Sequence, residues 1–150
     1  MNNLKLLVRD EQDSVPHAVE HQVQVNFTED GHDLAWTGSA RRIFLSIPGN
    51  YSQFYGVSNQ GIGSPAFMIE SNLLWAEGIY DITQSGLTRA IYGTDLGNGV
   101  TGDFGIGKLV ILRLINLPDN IEITAEVTFE WRNAVGKRCG AKMIIAPLHS

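Results

Sequence analysis

Several stretches of this 150-residue chain hold residues that could do chemistry, and their spacing decides what chemistry. His17-Ala18-Val19-Glu20-His21 has the H-x-x-E-H spacing of an inverted zinc-protease site. That chemistry needs a helix, where residues four apart share a face. Here Pro16 precedes the segment, and Val19, His21, Val23, Val25 and Phe27 alternate with polar residues, which is strand periodicity. At ~3.3 Å per residue the two histidines stand roughly 13 Å apart, too far for one Zn²⁺. His21 is expected to be half-buried beside Val19 and Val23 instead. Gly102 to Lys108, GDFGIGK, has the G-x-x-x-x-G-K spacing of a phosphate loop. Leu109 stands where Ser or Thr should hold Mg²⁺, a strand-like run follows, and Asp103 would repel phosphate. Both matches are set aside.

Softer candidates remain. Asp95, Asn98 and Asp103 sit in a glycine-dense stretch and carry the oxygen ligands Ca²⁺ takes, but their spacing fits no standard loop. Turn chemistry accounts for them. Tyr51 and Tyr55 fall among Gly, Ser, Asn and Gln and could offer a ring surface to a glycan or a partner protein. Trp131 lies on the apolar side of its segment and reads as core. Cys139 is the single cysteine, so no disulfide forms within the chain; a free thiol fits a reducing compartment, or a particle assembled there. No nucleophile–base pair and no paired catalytic carboxylates emerge, so no enzyme is expected, and no cofactor.

Charge narrows the partners. The net charge of −5 is carried by residues 1–33, where Lys5 and Arg9 face seven acids; the rest is neutral. There is no basic arm, which argues against direct nucleic-acid binding. Arg41-Arg42 and the acid-free set Arg132, Lys137, Arg138 and Lys142 are the local basic groups, read as solvated turns or strand edges. The start of the chain does not read as a signal peptide, and no apolar run is long enough to span a membrane as a helix.

The elements that must position these residues are strands. Ile121 to Arg132, IEITAEVTFEWR, alternates without a fault: Ile121, Ile123, Ala125, Val127, Phe129 and Trp131 on one face, Glu and Thr with Arg132 on the other. Lys108 to Leu117 is nearly continuously apolar and is expected to be a central strand covered on both faces. Pro118-Asp119-Asn120 between them reads as a hairpin turn. Further strands are expected at 4–8, 19–27, 34–37, 41–47, 66–70, 73–82 and 142–146. Turns are expected at 28–33 and 133–136. Residues 48–65 are expected to be loop-rich with at most one short strand, and 93–107 a long mobile connection. The segment 87–92 fits either a strand or a helical turn. Eight to ten short strands with no amphipathic helix indicate one all-β domain, an antiparallel β-sandwich of jelly-roll or Greek-key type.

The hairpin over 108–132, LVILRLINLPDNIEITAEVTFEWR, resembles the closing hairpin of jelly-roll virion structural proteins. That resemblance implies a non-enzymatic protein that acts by self-association or by contact with other virion proteins, and so resides in a particle. The acidic N-terminal third departs from RNA-binding coats and leaves a shell, decoration or tail role. The rival expectation is a cytoplasmic carbohydrate-binding module using Tyr51, Tyr55 and the 93–107 segment.

Overall fold

The computed structural model describes residues 4–7, 20–46, 50–58, 60–116 and 121–148. Among these, there are eleven strands and no helix: β1 (Leu4–Leu7), β2 (His21–Glu29), β3 (His32–Ser46), β4 (Tyr51–Ser58), β5 (Pro65–Ser71), β6 (Gly78–Ile82), β7 (Thr88–Asp95), β8 (Gly99–Phe104), β9 (Ile106–Asn116), β10 (Ile121–Arg132) and β11 (Arg138–Pro147). They are hydrogen-bonded in the order β1-β8-β7-β5-β4-β3-β2-β11-β10-β9-β6. All neighbours in that order pair antiparallel; a single parallel bridge, Ile82 to Thr88, joins β6 back to β7.

Two meanders, β2 to β5 and β9 to β11, meet where β11 lies beside β2, the Greek-key step of an antiparallel β-sandwich. The alternation of β2 and β10 does what the sequence requires. Val23, Val25 and Phe27, with Ile121 through Trp131 on odd positions, are buried, and they meet the odd-numbered side chains of β11. The opposing layer is β4, β5 and β7. Phe27 packs on Tyr92 at 4.4 Å between ring centroids, Tyr92 on Trp131 at 4.9 Å, and Trp36 edge-on against Phe67 at 5.8 Å, so aromatic contacts bridge the two layers.

A second, smaller core lies on the other side of β4, β5 and β7. There Tyr55, Val57, Ala66, Met68 and Ile91 are covered by Leu6 of β1 and by Val100 and Phe104 of β8. β4 is therefore buried along its whole length. β8 can fold over β7 because Gly93 and Gly102 are register partners whose backbones touch; a Cβ on either would collide with the other strand.

The turns follow sequence chemistry. Asp30 (φ 54°) and Gly31 (φ 86°) close the β2–β3 hairpin with two left-handed residues. Asn133 to Gly136 closes β10–β11, its side-chain oxygen accepting the N–H groups of Val135 and Lys137. The β9–β10 hairpin forms as expected, with Asn116 opposite Ile121, while Pro118-Asp119-Asn120 lies outside the described residues.

Several expectations are corrected. Residues 93–107 are not a long connection but the end of β7, all of β8 and the start of β9; Gly93, Gly102, Gly105 and Gly107 serve close contact with a neighbouring strand, and Gly97 (φ 89°) sits in the β7–β8 turn. The segments 34–37 and 41–47 belong to one long strand, β3, irregular between Ala40 and Arg42. Within 73–82 only Gly78–Ile82 is strand, and it is mostly exposed. β9 is covered on one face: Leu109 and Ile111 are buried, whereas Leu112 is 52% exposed. Of residues 87–92, residues 88–92 form the start of strand β7 and Leu87 stays in the bend before it.

Candidate functional site

The rings of Tyr51 and Tyr55 were expected in a loop; they are in β4 and wholly buried. Both point from β4 toward the smaller core and end in hydrogen bonds. The Tyr51 hydroxyl donates to Glu70 Oε1 at 2.6 Å and accepts from Gln53 Nε2 at 2.9 Å. Arg89 Nη2 closes the group with a 2.6 Å ion pair to Glu70 Oε2, and its guanidinium lies over the Phe104 ring at 5.2 Å. The Tyr55 hydroxyl donates to the Asp95 carboxylate, which also accepts the Gly97 N–H at 2.8 Å. These groups hold strands and turns in place and offer no ring to a ligand.

Asp95, Asn98 and Asp103 do not gather. Asp95 is buried opposite Val100, Asn98 is exposed in the β7–β8 turn, and Asp103 is opposite Tyr92. Register puts the two aspartates three residues apart along β7, about 10 Å and on opposite faces. Among the described residues no three His, Cys, Asp or Glu side chains are grouped to hold a metal ion.

The set-aside motifs resolve in the same way. His21 is fully buried, and its Nε2 accepts the Ile123 N–H of β10 at 3.0 Å, which ties two sequence-distant strands; residues 17–19 lie outside the described residues. Gly102 to Lys108 crosses from β8 into β9, and Lys108 reaches Asp81 at 2.8 Å. Cys139 is buried near Tyr92, Glu29 and Asp103. Loss of water and then the nearby acids push its thiol above the ordinary value, opposite to what a nucleophile needs.

Two surface regions remain. One is the outer face of β6, β9, β10, β11 and β2. Register places Ile79, Val110, Glu126, Ile144 and Gln24 in one row across all five strands. Ile79 is 67% exposed, Ile144 is 50% exposed, and exposed Leu112 adjoins Val110. The neighbouring row is Asp81, Lys108, Thr128, Lys142 and Asn26, so a charged line runs beside one that is apolar except at Glu126 and Gln24. A cavity of about 730 Å³ opens on this face between Gln24, Val110, Glu126, Lys142 and Ile144. The sequence marked the Glu/Thr ladder of β10 as solvated surface or a polar contact face; what it could not give was the apolar row, because its members come from separate strands.

The other region is a cleft of about 660 Å³ where β9 begins, lined among others by Arg89, Asp103, Phe104, Glu130, Arg132 and Arg138. Burial raises the Asp103 carboxyl above its ordinary value. No known protein family, characterised protein sequence or solved structure matches the chain.

Proposed function

We propose that the chain is a non-enzymatic structural protein that works by self-association, as a shell, decoration or tail component of a virion. The observation that carries the reading is the row of exposed Ile79, half-buried Val110 and exposed Ile144 on a broad sheet face, with exposed Leu112 beside it. Exposed apolar side chains grouped on one face, here with Glu126 set between Val110 and Ile144, mark contact sites in proteins that are otherwise well packed. Five strands at ~4.8 Å spacing and the twelve residues of β10 at ~3.3 Å bound this face at roughly 950 Å². That is of the order of the ~800 Å² per partner of an ordinary specific interface. Lys108 and Lys142 alternate with Glu126 and Glu130 on the same face, so two copies related by a two-fold axis can oppose unlike charges.

The virion setting draws on the resemblance of the 108–132 hairpin and on the all-β antiparallel fold that hairpin belongs to. The carbohydrate-binding alternative loses its support with the burial of Tyr51 and Tyr55. Size-exclusion chromatography with light scattering tests self-association. Species larger than one chain that grow with concentration support it; a strict monomer at high concentration, with no partner in a particle, counts against it.

A further inference from the structure

Of the acid-free set Arg132, Lys137, Arg138 and Lys142, the first three lie beyond the charged row of the assembly face, and the fold adds a distant arginine beside them. Arg132 and Arg138 are register partners across β10 and β11. Directly opposed side chains stand about 5 Å apart at Cβ, and like charges there are destabilising. Among the described residues the ion pairs are Arg89–Glu70 and Lys108–Asp81; neither Arg132 nor Arg138 forms one. Arg132 donates to the Gly136 carbonyl at 3.0 Å, and Glu130 lies diagonal to Arg138. Two exposed arginines are thus cross-strand neighbours, and among the described residues neither is in an ion pair.

The backbone makes a recess at the same place. The β9–β10 ladder ends at Ile106 opposite Glu130, so Trp131 and Arg132 have no β9 partner. Gly105 lets the chain turn from β8 into β9 hard against Phe129, where a Cβ would strike the ring and the Glu130 carbonyl. Beyond that crossing a gap opens, walled by Phe104, by Arg89, which is itself fixed by Glu70, and by the carboxylates Asp103 and Glu130, so that three arginines line it with two acids. A second cavity of about 560 Å³, also bordered by Arg132 and Arg138, adds Lys137 on the far side.

From this geometry we infer that the cleft at the start of β9 binds an oxyanion, a carboxylate or sulfate group, between Arg132 and Arg138 with Arg89 at its inner wall. Guanidinium forks fit two-oxygen anions bidentately, and an anion between opposed arginines relieves their repulsion. The recess is large enough for the anion to be carried on a sugar-sized ligand. The cleft lies at the Arg132 end of the assembly face, with which it shares Glu130.

The test is an NMR titration of the intact chain with sodium sulfate, D-glucuronate and neutral D-glucose at constant ionic strength. The expected result is saturable shifts at Arg89, Phe104, Trp131 and Arg138 with sulfate or glucuronate and none with glucose. Tighter glucuronate binding identifies a sugar acid as the source; equal binding identifies the bare oxyanion. Arg138→Ala should weaken binding by about tenfold, the worth of a charge-assisted hydrogen bond, and Arg138→Lys by less. Both positions are exposed, and an unchanged spectrum away from the cleft verifies the fold. No saturable shift with either anion, equal binding of glucose, or shifts indifferent to both Arg138→Ala and Arg132→Ala overturns the inference.

Discussion

Replacing Glu70 by alanine should be among the most damaging polar changes in this protein. Glu70 is 5% exposed and is the shared acceptor of the Tyr51 hydroxyl and the Arg89 guanidinium. Tyr51 is fully buried, so its hydroxyl would lose a charged acceptor that water cannot replace, a loss of about 1.5–3 kcal/mol. The Arg89 side chain is 33% exposed, so water takes up much of its lost pairing, and that share is about 0–1 kcal/mol. The sum is about 1.5–4 kcal/mol. In urea, with a slope near ~2 kcal/mol per molar, the unfolding midpoint should fall by roughly 0.75–2 M. Glu70→Gln keeps an acceptor for Tyr51 and should cost less. Tyr51→Phe leaves the Arg89–Glu70 pair intact but removes the same hydrogen bond to Glu70, and should cost about 1.5–3 kcal/mol. A Glu70→Ala midpoint within error of wild type, or a Tyr51→Phe variant weaker than Glu70→Ala, would refute the role given to this network.

Two titrating groups give further expectations. The buried Cys139 thiol, raised by desolvation and then by Glu29 and Asp103, should react slowly with a thiol reagent at neutral pH and become reactive on unfolding in denaturant; rapid labelling of the native chain contradicts its placement. Asp103 has a folded value raised by burial, so the folded state holds its proton more tightly than the unfolded one. Its contribution to stability is present below the ordinary carboxylate value and is lost as pH rises from there through the raised folded value. Asp103→Asn should remove that part of the pH dependence and leave the chain at least as stable at neutral pH. Urea midpoints measured from acidic to neutral pH check this, and an unaltered pH profile would contradict it.

The parts of the fold that were legible are those with one wet face. β2 and β10 alternate because every second side chain meets water, and that contrast is written in their residues. β4 was illegible for the opposite reason. Tyr51, Ser52, Gln53, Tyr55 and Gly56 have the composition of a loop, yet both faces are covered, and the polar groups are satisfied by Glu70, Leu73 and Asp95 from other segments. β8 was illegible because its glycines serve contact with β7, a fact about a neighbouring strand. β9 read as doubly covered because Leu112 is apolar; its exposure follows from a place next to the short strand β6. The same limit applied to the candidate sites. Tyr51 and Tyr55 were singled out by type, and only the ladder reveals that they point inward. Arg89 could not be joined to Arg132 and Arg138, nor Ile79 to Ile144, without knowing which strands lie side by side.

The central claim, self-association through the outer face of β6, β9, β10, β11 and β2, is tested most directly by sedimentation velocity over a wide concentration range on wild type and Ile144→Asp. Ile144 is half exposed and opposes Glu126, so the aspartate adds repulsion to the face without opening a core cavity. The account predicts that wild type sediments as larger species as concentration rises, and that Ile144→Asp remains a folded monomer with an unchanged far-ultraviolet dichroism spectrum. A wild-type chain that stays monomeric throughout, or assembly undiminished by Ile144→Asp, would contradict it.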